Sequence, residues 1–338
     1  MSDESSRRDF VKGSAAGLGL LIARPQQVRG AQANSALSVG VIGCGNRGLY
    51  VGGIFAKHEF AKVTAVCDIY EDRFAAAEKR FAGARRYRAF TDLLASDVDA
   101  VLIATPAYLH PEHFEAAVAA RKHIFMEKPA AVNAAGCRRV TEAARKADKT
   151  RRITVDYQQR YGADYRRAQG VVKSGELGAI KMVRAAWLGG GPAIKTGHAA
   201  AEERVRNWFF YRELSGDIFD NLACTFQFAD GMVFSYSANQ FRTPGGFQDV
   251  SETFICEKGA VNVSRQGYTI WRDKQAPERV ETKHDITEDA VREFIQGART
   301  GKIENAGFAA AESTLTAVMA LEAIVSGSEM TWDRISRA

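Results

Sequence analysis

The chain has 338 residues, 46% of them hydrophobic and 25% charged, values that exclude wholesale disorder and suit two domains. Its net charge of +6 falls to +4 outside the first 33 residues, which hold five basic and three acidic side chains. That surplus is scattered, with no basic stripe and no aromatic-interleaved basic run, so nucleic acid is excluded as a partner.

At the N-terminus, Ser6-Arg7-Arg8-Asp9-Phe10-Val11-Lys12 reads as a twin-arginine export motif. A mild apolar run, Gly13 to Ala23, follows, and then Ala31-Gln32-Ala33, which fits small-x-small cleavage. Residues 1–33 are expected to be a signal peptide that engages the twin-arginine machinery and delivers a folded protein to the periplasm. The apolar run is too short for stable membrane insertion.

Residues 36–157 alternate between apolar runs and amphipathic stretches, which predicts a Rossmann domain with a doubly wound parallel sheet. A strand over Ser38–Ile42 ends in Gly43-Cys44-Gly45-Asn46-Arg47-Gly48, and a helix over Leu49–His58 follows. A second strand, Val63–Cys67, ends in Asp68. This order is that of a dinucleotide site. Gly43 permits the tight turn, Gly45 lets the backbone approach the pyrophosphate, Gly48 allows close helix–strand packing, and the helix N-terminus offers free N–H groups. Asp68 is placed to accept hydrogen bonds from the adenosine ribose, and its carboxylate repels a 2′-phosphate, so NAD is favoured over NADP.

Helices are predicted over Glu71–Phe81, Pro111–Ala120 and Asn133–Lys146, with strands over Val98–Ala104, His123–Met126 and Ile153–Asp156. Ligands bind at the carboxyl ends of such strands, which singles out Thr105 to His110 and Glu127-Lys128-Pro129.

Residues 158–338 change pattern. After a helix over Asp164–Lys173, strands are predicted over Ile180–Leu188, Ala223–Phe228, Met232–Gln240, Val250–Cys256, Ala260–Val263 and Tyr268–Arg272. Contiguous short strands imply an α+β domain with a largely antiparallel open sheet. Helices over Glu288–Arg299 and Phe308–Ser326 close the series. The five cysteines (Cys44, Cys67, Cys137, Cys224, Cys256) are isolated and odd in number, so buried reduced thiols are expected and no metal site.

The chain resembles the glucose–fructose oxidoreductase / inositol dehydrogenase (Gfo/Idh/MocA) family. The likeness is carried by G-C-G-N-R-G, by Ala104-Thr105-Pro106-Ala107-Tyr108-Leu109-His110 and by Glu127-Lys128-Pro129. It extends through Tyr157-Gln158-Gln159-Arg160-Tyr161, Gly175-Glu176-Leu177-Gly178, Ala311-Glu312-Ser313-Thr314-Leu315 and Thr331-Trp332-Asp333. The resemblance implies an NAD-dependent oxidoreductase acting on a sugar or polyol derivative; because free NAD is scarce outside the cytoplasm, an exported protein is expected to hold its cofactor tightly. Lys128 would lie beside the nicotinamide and substrate hydroxyl as the catalytic residue, ahead of a cis Pro129. Thr105, Pro106, His110 and Glu127 would join the glycine turn and Asp68 along the cofactor. Arg160 and His198, the latter in the Gly189–Arg206 loop, are the substrate-side candidates. One face of the open sheet would wall the substrate and the other would form a homo-oligomer.

The sequence departs from this pattern at Leu214-Ser215-Gly216-Asp217-Ile218-Phe219-Asp220. In similar exported members that motif leads into a helix bearing a His/Asp acid–base pair, whereas here the chain runs directly into the next strand. Asp217 and Asp220 are weaker substitutes for the missing base. An NAD-binding protein impaired in catalysis and an NAD-dependent glycosidase are therefore the alternatives.

Overall fold

The computed structural model describes residues 36–216, 218–241, 243–282 and 284–337. The signal peptide expected over residues 1–33, and Asp217, lie outside the described residues.

Strand β1 (Leu37–Ile42) is followed by α1 (Asn46–Lys57), β2 (Ala61–Cys67), α2 (Glu71–Arg80), β3 (Arg85–Tyr87), α3 (Phe90–Leu94) and β4 (Ala100–Ile103). Next come α4 (His110–Ala119), β5 (His123–Met126), α5 (Ala134–Lys146) and β6 (Ile153–Val155). The six strands form one sheet in the order β3-β2-β1-β4-β5-β6, all pairs parallel. β4 and β5 read as continuous apolar runs because helices cover both faces of the sheet, leaving every one of their residues buried. Asn133 caps α5, its side chain accepting from the Gly136 N–H at 2.8 Å.

The second half supplies α6 (Ala163–Lys173), β7 (Ile180–Leu188), α7 (Ala200–Arg206), α8 (Arg212–Ser215), β8 (Asn221–Gln227), β9 (Val233–Asn239) and β10 (Asp249–Cys256). It continues through β11 (Gly259–Ser264), β12 (Gly267–Arg272), β13 (Glu278–Glu281), α9 (Ile286–Thr300), α10 (Gly307–Ser326) and α11 (Trp332–Arg337). Its seven-stranded sheet runs β13-β12-β11-β10-β7-β9-β8. Every pair is antiparallel except β7 with β9. Ala168 and Val171 of α6 pack on Val261 and Val263 of this sheet.

Helices α9 and α10, expected in the second domain, return to the first. Phe294 of α9 meets Phe55 and Phe125 edge-on, with ring centroids 5.8 and 5.5 Å apart. Burying each such side chain contributes about 1.5–3 kcal/mol. Buried Arg152, just ahead of β6, binds Glu304 at 2.7 Å and Glu293 of α9 at 3.3 Å. Helix α10 is apolar and long enough to cross a membrane by length and composition, yet its Ala310 and Ala311 belong to the core around β4 and α5. The two sheets accordingly belong to one compact unit, Leu37–Ala338.

All five cysteines are free, and Cys44, Cys67, Cys137 and Cys256 are buried. Burial pushes the thiols of Cys44 and Cys67 up to about 12, which keeps them inert.

At the expected departure from the family pattern, α8 ends at Gly216 in the left-handed conformation, φ +74°. A Cβ there would lie 2.3 Å from the Val132 carbonyl oxygen, so this turn is wedged against the loop after Lys128. β8 starts at Asn221 as the outermost strand.

Candidate active site

The glycine turn has the geometry that a dinucleotide requires. Gly43 sits at φ +93°, and a Cβ on it would strike the Ala104–Thr105 backbone at 2.8–2.9 Å. A Cβ on Gly48 would lie 1.8 Å from the Gly43 carbonyl oxygen, so α1 packs directly on the turn. Gly45, by contrast, faces open space, with nothing within 4 Å of its would-be Cβ. It is the N-cap of α1, which has no side-chain cap and no acidic residue in its first turn. An open cradle at an uncapped, positive helix end fits a pyrophosphate.

Asp68 is fixed beside this turn. Its Oδ2 accepts from the Cys44 N–H at 2.8 Å and its Oδ1 from the Tyr70 N–H at 3.0 Å, and each oxygen keeps a further lone pair. Cys44 therefore serves through its backbone, and Asn46 is exposed.

Three expected cofactor residues have other partners. The Arg47 Nε donates to Glu127 Oε1 at 2.7 Å, and its terminal nitrogen to Asp156 Oδ2 at 2.5 Å. This clamp joins the first turn of α1 to the ends of β5 and β6. Glu127 is 5% and Asp156 2% exposed. Burial and the neighbouring Asp156 raise the Glu127 pKa, against the pull of Arg47, and burial raises that of Asp156 as well. Arg47 and Glu127 thus build the floor of the site. Asp156 was read only as the end of a strand. A lone acid closing the buried run Ile153–Val155 is the signal that marks it.

His110 is the third. It is 1% exposed, with Nδ1 2.6 Å from the Pro129 carbonyl oxygen and Nε2 2.9 Å from that of Thr105. Burial holds its pKa below the ordinary histidine value, opposed by these two carbonyls. It is a brace between the β4 and β5 strand ends and has no face left for a cofactor. Thr105 Oγ1 lies 3.0 Å from His113 Nδ1, and Thr105 and Pro106 remain half-buried at the rim.

Lys128 follows β5 and precedes a cis bond to Pro129. Its side chain is accessible but stands between two protein walls. That surrounding lowers its pKa from the ordinary value, with Glu127 opposing and Arg47 reinforcing the shift. The second wall is the seven-stranded sheet. Nζ lies 5.8 Å from the ring centre of Trp187 on β7, and the Arg265 guanidinium, from the β11–β12 turn, lies 5.3 Å from the same ring. Neither Trp187 nor Arg265 was singled out from sequence, because residues 59 and more positions away along the chain meet Lys128 only through the fold.

Support for the Lys128 loop comes from α10. Thr314 Oγ1 accepts from the Ala130 N–H at 3.0 Å and lies 2.9 Å from the Tyr157 hydroxyl. Arg160, expected on the substrate side, is exposed; its guanidinium stacks over Tyr157 at 4.6 Å and donates to Ser313 of α10 at 2.5 Å. His198 is exposed at the start of α7, its N–H donating to Glu203 at 3.1 Å and its ring 3.4 Å from Glu202. Both are engaged in local contacts. Helix α7 itself is clasped to α2: Arg206 binds both Asp72 oxygens, at 2.6 and 3.0 Å, and covers the Tyr70 ring at 4.0 Å.

Comparison with known proteins agrees with this geometry. Residues 37–157 match the model of the Gfo/Idh/MocA oxidoreductase family, NAD-binding Rossmann fold. Inositol 2-dehydrogenase of Salmonella typhimurium is 31% identical over 206 residues, 59% of this chain and 61% of that protein. Inositol 2-dehydrogenase of Ralstonia nicotianae is 34% identical over 186 residues, 54% of this chain and 55% of that protein. The matched part of the chain thus spans 61% or less of the length of these curated relatives. Among solved structures, levoglucosan dehydrogenase in complex with NADH and L-sorbose superposes with a TM-score of 0.74 at 17% identity, covering 86% of this chain and 97% of that one. The myo-inositol 2-dehydrogenase of Lactobacillus plantarum gives 0.68 at 16%, covering 88% and 100%. These likenesses extend the fold across both sheets, while the match to the NAD-binding Rossmann model of that family spans residues 37–157.

Proposed function

We propose that the protein is an NAD(P)-dependent oxidoreductase that oxidises a hydroxyl of a sugar or cyclic polyol. The observation that carries this reading is Lys128: an accessible amine at the carboxyl end of β5, facing a second protein wall beside a turn built for a dinucleotide. Gly43 to Gly48 hold the pyrophosphate and Asp68 the adenosine ribose, which favours NAD over NADP. When bound, the cofactor supplies a hydride acceptor for the carbinol carbon. Lys128 Nζ orients the hydroxyl oxygen, and its depressed pKa suits it to take up the hydroxyl proton as the carbonyl forms. The names of the relatives, inositol 2-dehydrogenase and levoglucosan dehydrogenase, support a ring-shaped, hydroxylated substrate.

Residues 1–33 direct export to the periplasm by the twin-arginine route. The cofactor is loaded before export and held tightly, a reading supported by the Arg206 clasp over Tyr70 beside Asp68. The protein assembles into a homo-oligomer through the sheet face that carries exposed Arg184, Ala223, Thr225, Ile255 and Trp271.

The test is to purify the protein, identify any nicotinamide released on denaturation, and follow NADH absorbance with a panel of cyclitols and sugars. Lys128→Met is expected to abolish turnover by about a hundredfold or more while retaining NADH binding. Retained NAD with no turnover on any substrate would favour the impaired binding protein, a reading supported by the engagement of His198 with Glu202 and Glu203. Failure to bind either dinucleotide would refute both.

A further inference from the structure

Beyond Lys128 the second sheet carries polar atoms that the chemistry above does not use. On β10, Glu252 pairs in register with Ala185 of β7, while Val250 pairs with Trp187. Glu252 and Trp187 therefore share one face of the sheet as diagonal neighbours. That is the face packed by α6, since Val263, opposite Glu252, lies against Ala168 and Val171. Tyr236 lies next along the same row, and Tyr165 rises from α6. Glu252 Oε2 and the Tyr165 hydroxyl are both buried, and neither has a hydrogen-bond partner among the described residues. Burial pushes the Glu252 carboxyl up to about 7, against the pull of the Arg265 guanidinium. Burial raises the Tyr165 pKa too, with the Glu252 charge adding to it. Arg265 in turn shares the Trp187 ring with Lys128.

Buried polar groups are normally paired, and here an unpaired acceptor and an unpaired donor belong to one charge-linked group. A hydroxyl satisfies both at once, because it donates one hydrogen bond and accepts others. We infer that Glu252 and Tyr165 form a specificity subsite for a substrate hydroxyl remote from the carbon held at Lys128, the hydroxyl donating to Glu252 and accepting from Tyr165. The group this subsite takes is a neutral hydroxyl, one of those carried by a polyhydroxylated ring. The inference rests on the oxidoreductase reading.

The test compares the full protein with Glu252→Gln and Tyr165→Phe, using myo-inositol, its monodeoxy analogues and related cyclitols. Glu252→Gln is expected to raise KM about tenfold to a hundredfold, the range for losing a hydrogen bond to a charged group, and Tyr165→Phe about twofold to tenfold, the range for a neutral one, with kcat and NADH binding unchanged. In the unaltered protein KM should fall as pH rises through about 7, and this dependence should vanish in Glu252→Gln. One monodeoxy analogue should be a poor substrate for the unaltered protein and lose nothing further in either variant. Unchanged KM and pH dependence in both variants, with turnover intact, would overturn the subsite and leave the oxidoreductase reading standing. If Glu252→Gln fails to fold, Tyr165→Phe decides alone. No turnover and no NMR-detected binding of any cyclitol by the unaltered protein would overturn both.

Discussion

Arg47→Met tests whether the floor of the site is an ion cluster or a set of incidental contacts. Arg47 is the cation bound to Glu127 and Asp156, whose side chains are 7% and 0% exposed. Asp156 Oδ1 has no partner among the described residues. Methionine fills most of the space and leaves two buried carboxyls facing each other. Removing one member of a buried pair costs about 3–5 kcal/mol. The Arg47 side chain is 35% exposed, so water compensates in part and the lower end, about 3 kcal/mol, is expected at neutral pH. The pH dependence gives the sharper check. A carboxyl whose folded pKa is raised contributes stability below its unfolded value, and that contribution is lost as pH rises through the folded value. For Glu127 this window runs from about 4.5 to about 8. Arg47→Met lifts both carboxyls further, so its deficit should be small near the bottom of that window and largest near the top. Urea unfolding followed by tryptophan fluorescence at both ends measures it. Equal deficits at the two ends, or less than about 1 kcal/mol near the top, would refute the cluster. Adding Glu127→Gln to Arg47→Met should restore part of the stability, because only one carboxyl then remains to ionise.

Gly45→Ala and Gly48→Ala should separate binding from folding. The first places its methyl in open space, so the melting temperature should hold while NADH fluorescence titration reports weaker binding; the second collides with the Gly43 carbonyl and should lower both. Asp68→Ala removes the acceptor of the Cys44 and Tyr70 N–H groups and the repulsion of a 2′-phosphate, so the ratio of NADPH to NADH affinity should rise in competition titrations. His110→Phe leaves one carbonyl, of Thr105 or Pro129, without the donor it has now, and should cost about 1–3 kcal/mol in urea unfolding at neutral pH.

What the sequence disclosed follows from what local pattern can encode. β5 is legible as His123–Met126 because an element buried on both faces imprints an apolar run on its residues. β3, Arg85–Tyr87, was missed because it is a three-residue basic edge with no buried face to imprint, and β13, Glu278–Glu281, for the same reason at the far edge of the other sheet. Helices α9 and α10 are legible as helices, but not their packing against the first sheet, since an apolar stripe states that a helix is buried without stating against what. The site divides along the same line. Gly43, Gly45, Gly48, Asp68 and Lys128 are legible as candidates because one strand–turn–helix unit, or one strand end, places each of them. Arg47, Glu127 and His110 were read as cofactor contacts because proximity to that turn is local, while their engagement with Asp156, Pro129 and Thr105 is a property of adjacent strand ends in the sheet. Trp187, Arg265 and Glu252 left no trace at all. They belong to a second sheet whose register brings them to the wall opposite Lys128, and register is set by pairing between strands far apart in the chain. The candidate cofactor residues are therefore local and visible in the sequence, whereas the residues on the wall of the second sheet near Lys128 are brought there by strand pairing that no local pattern encodes.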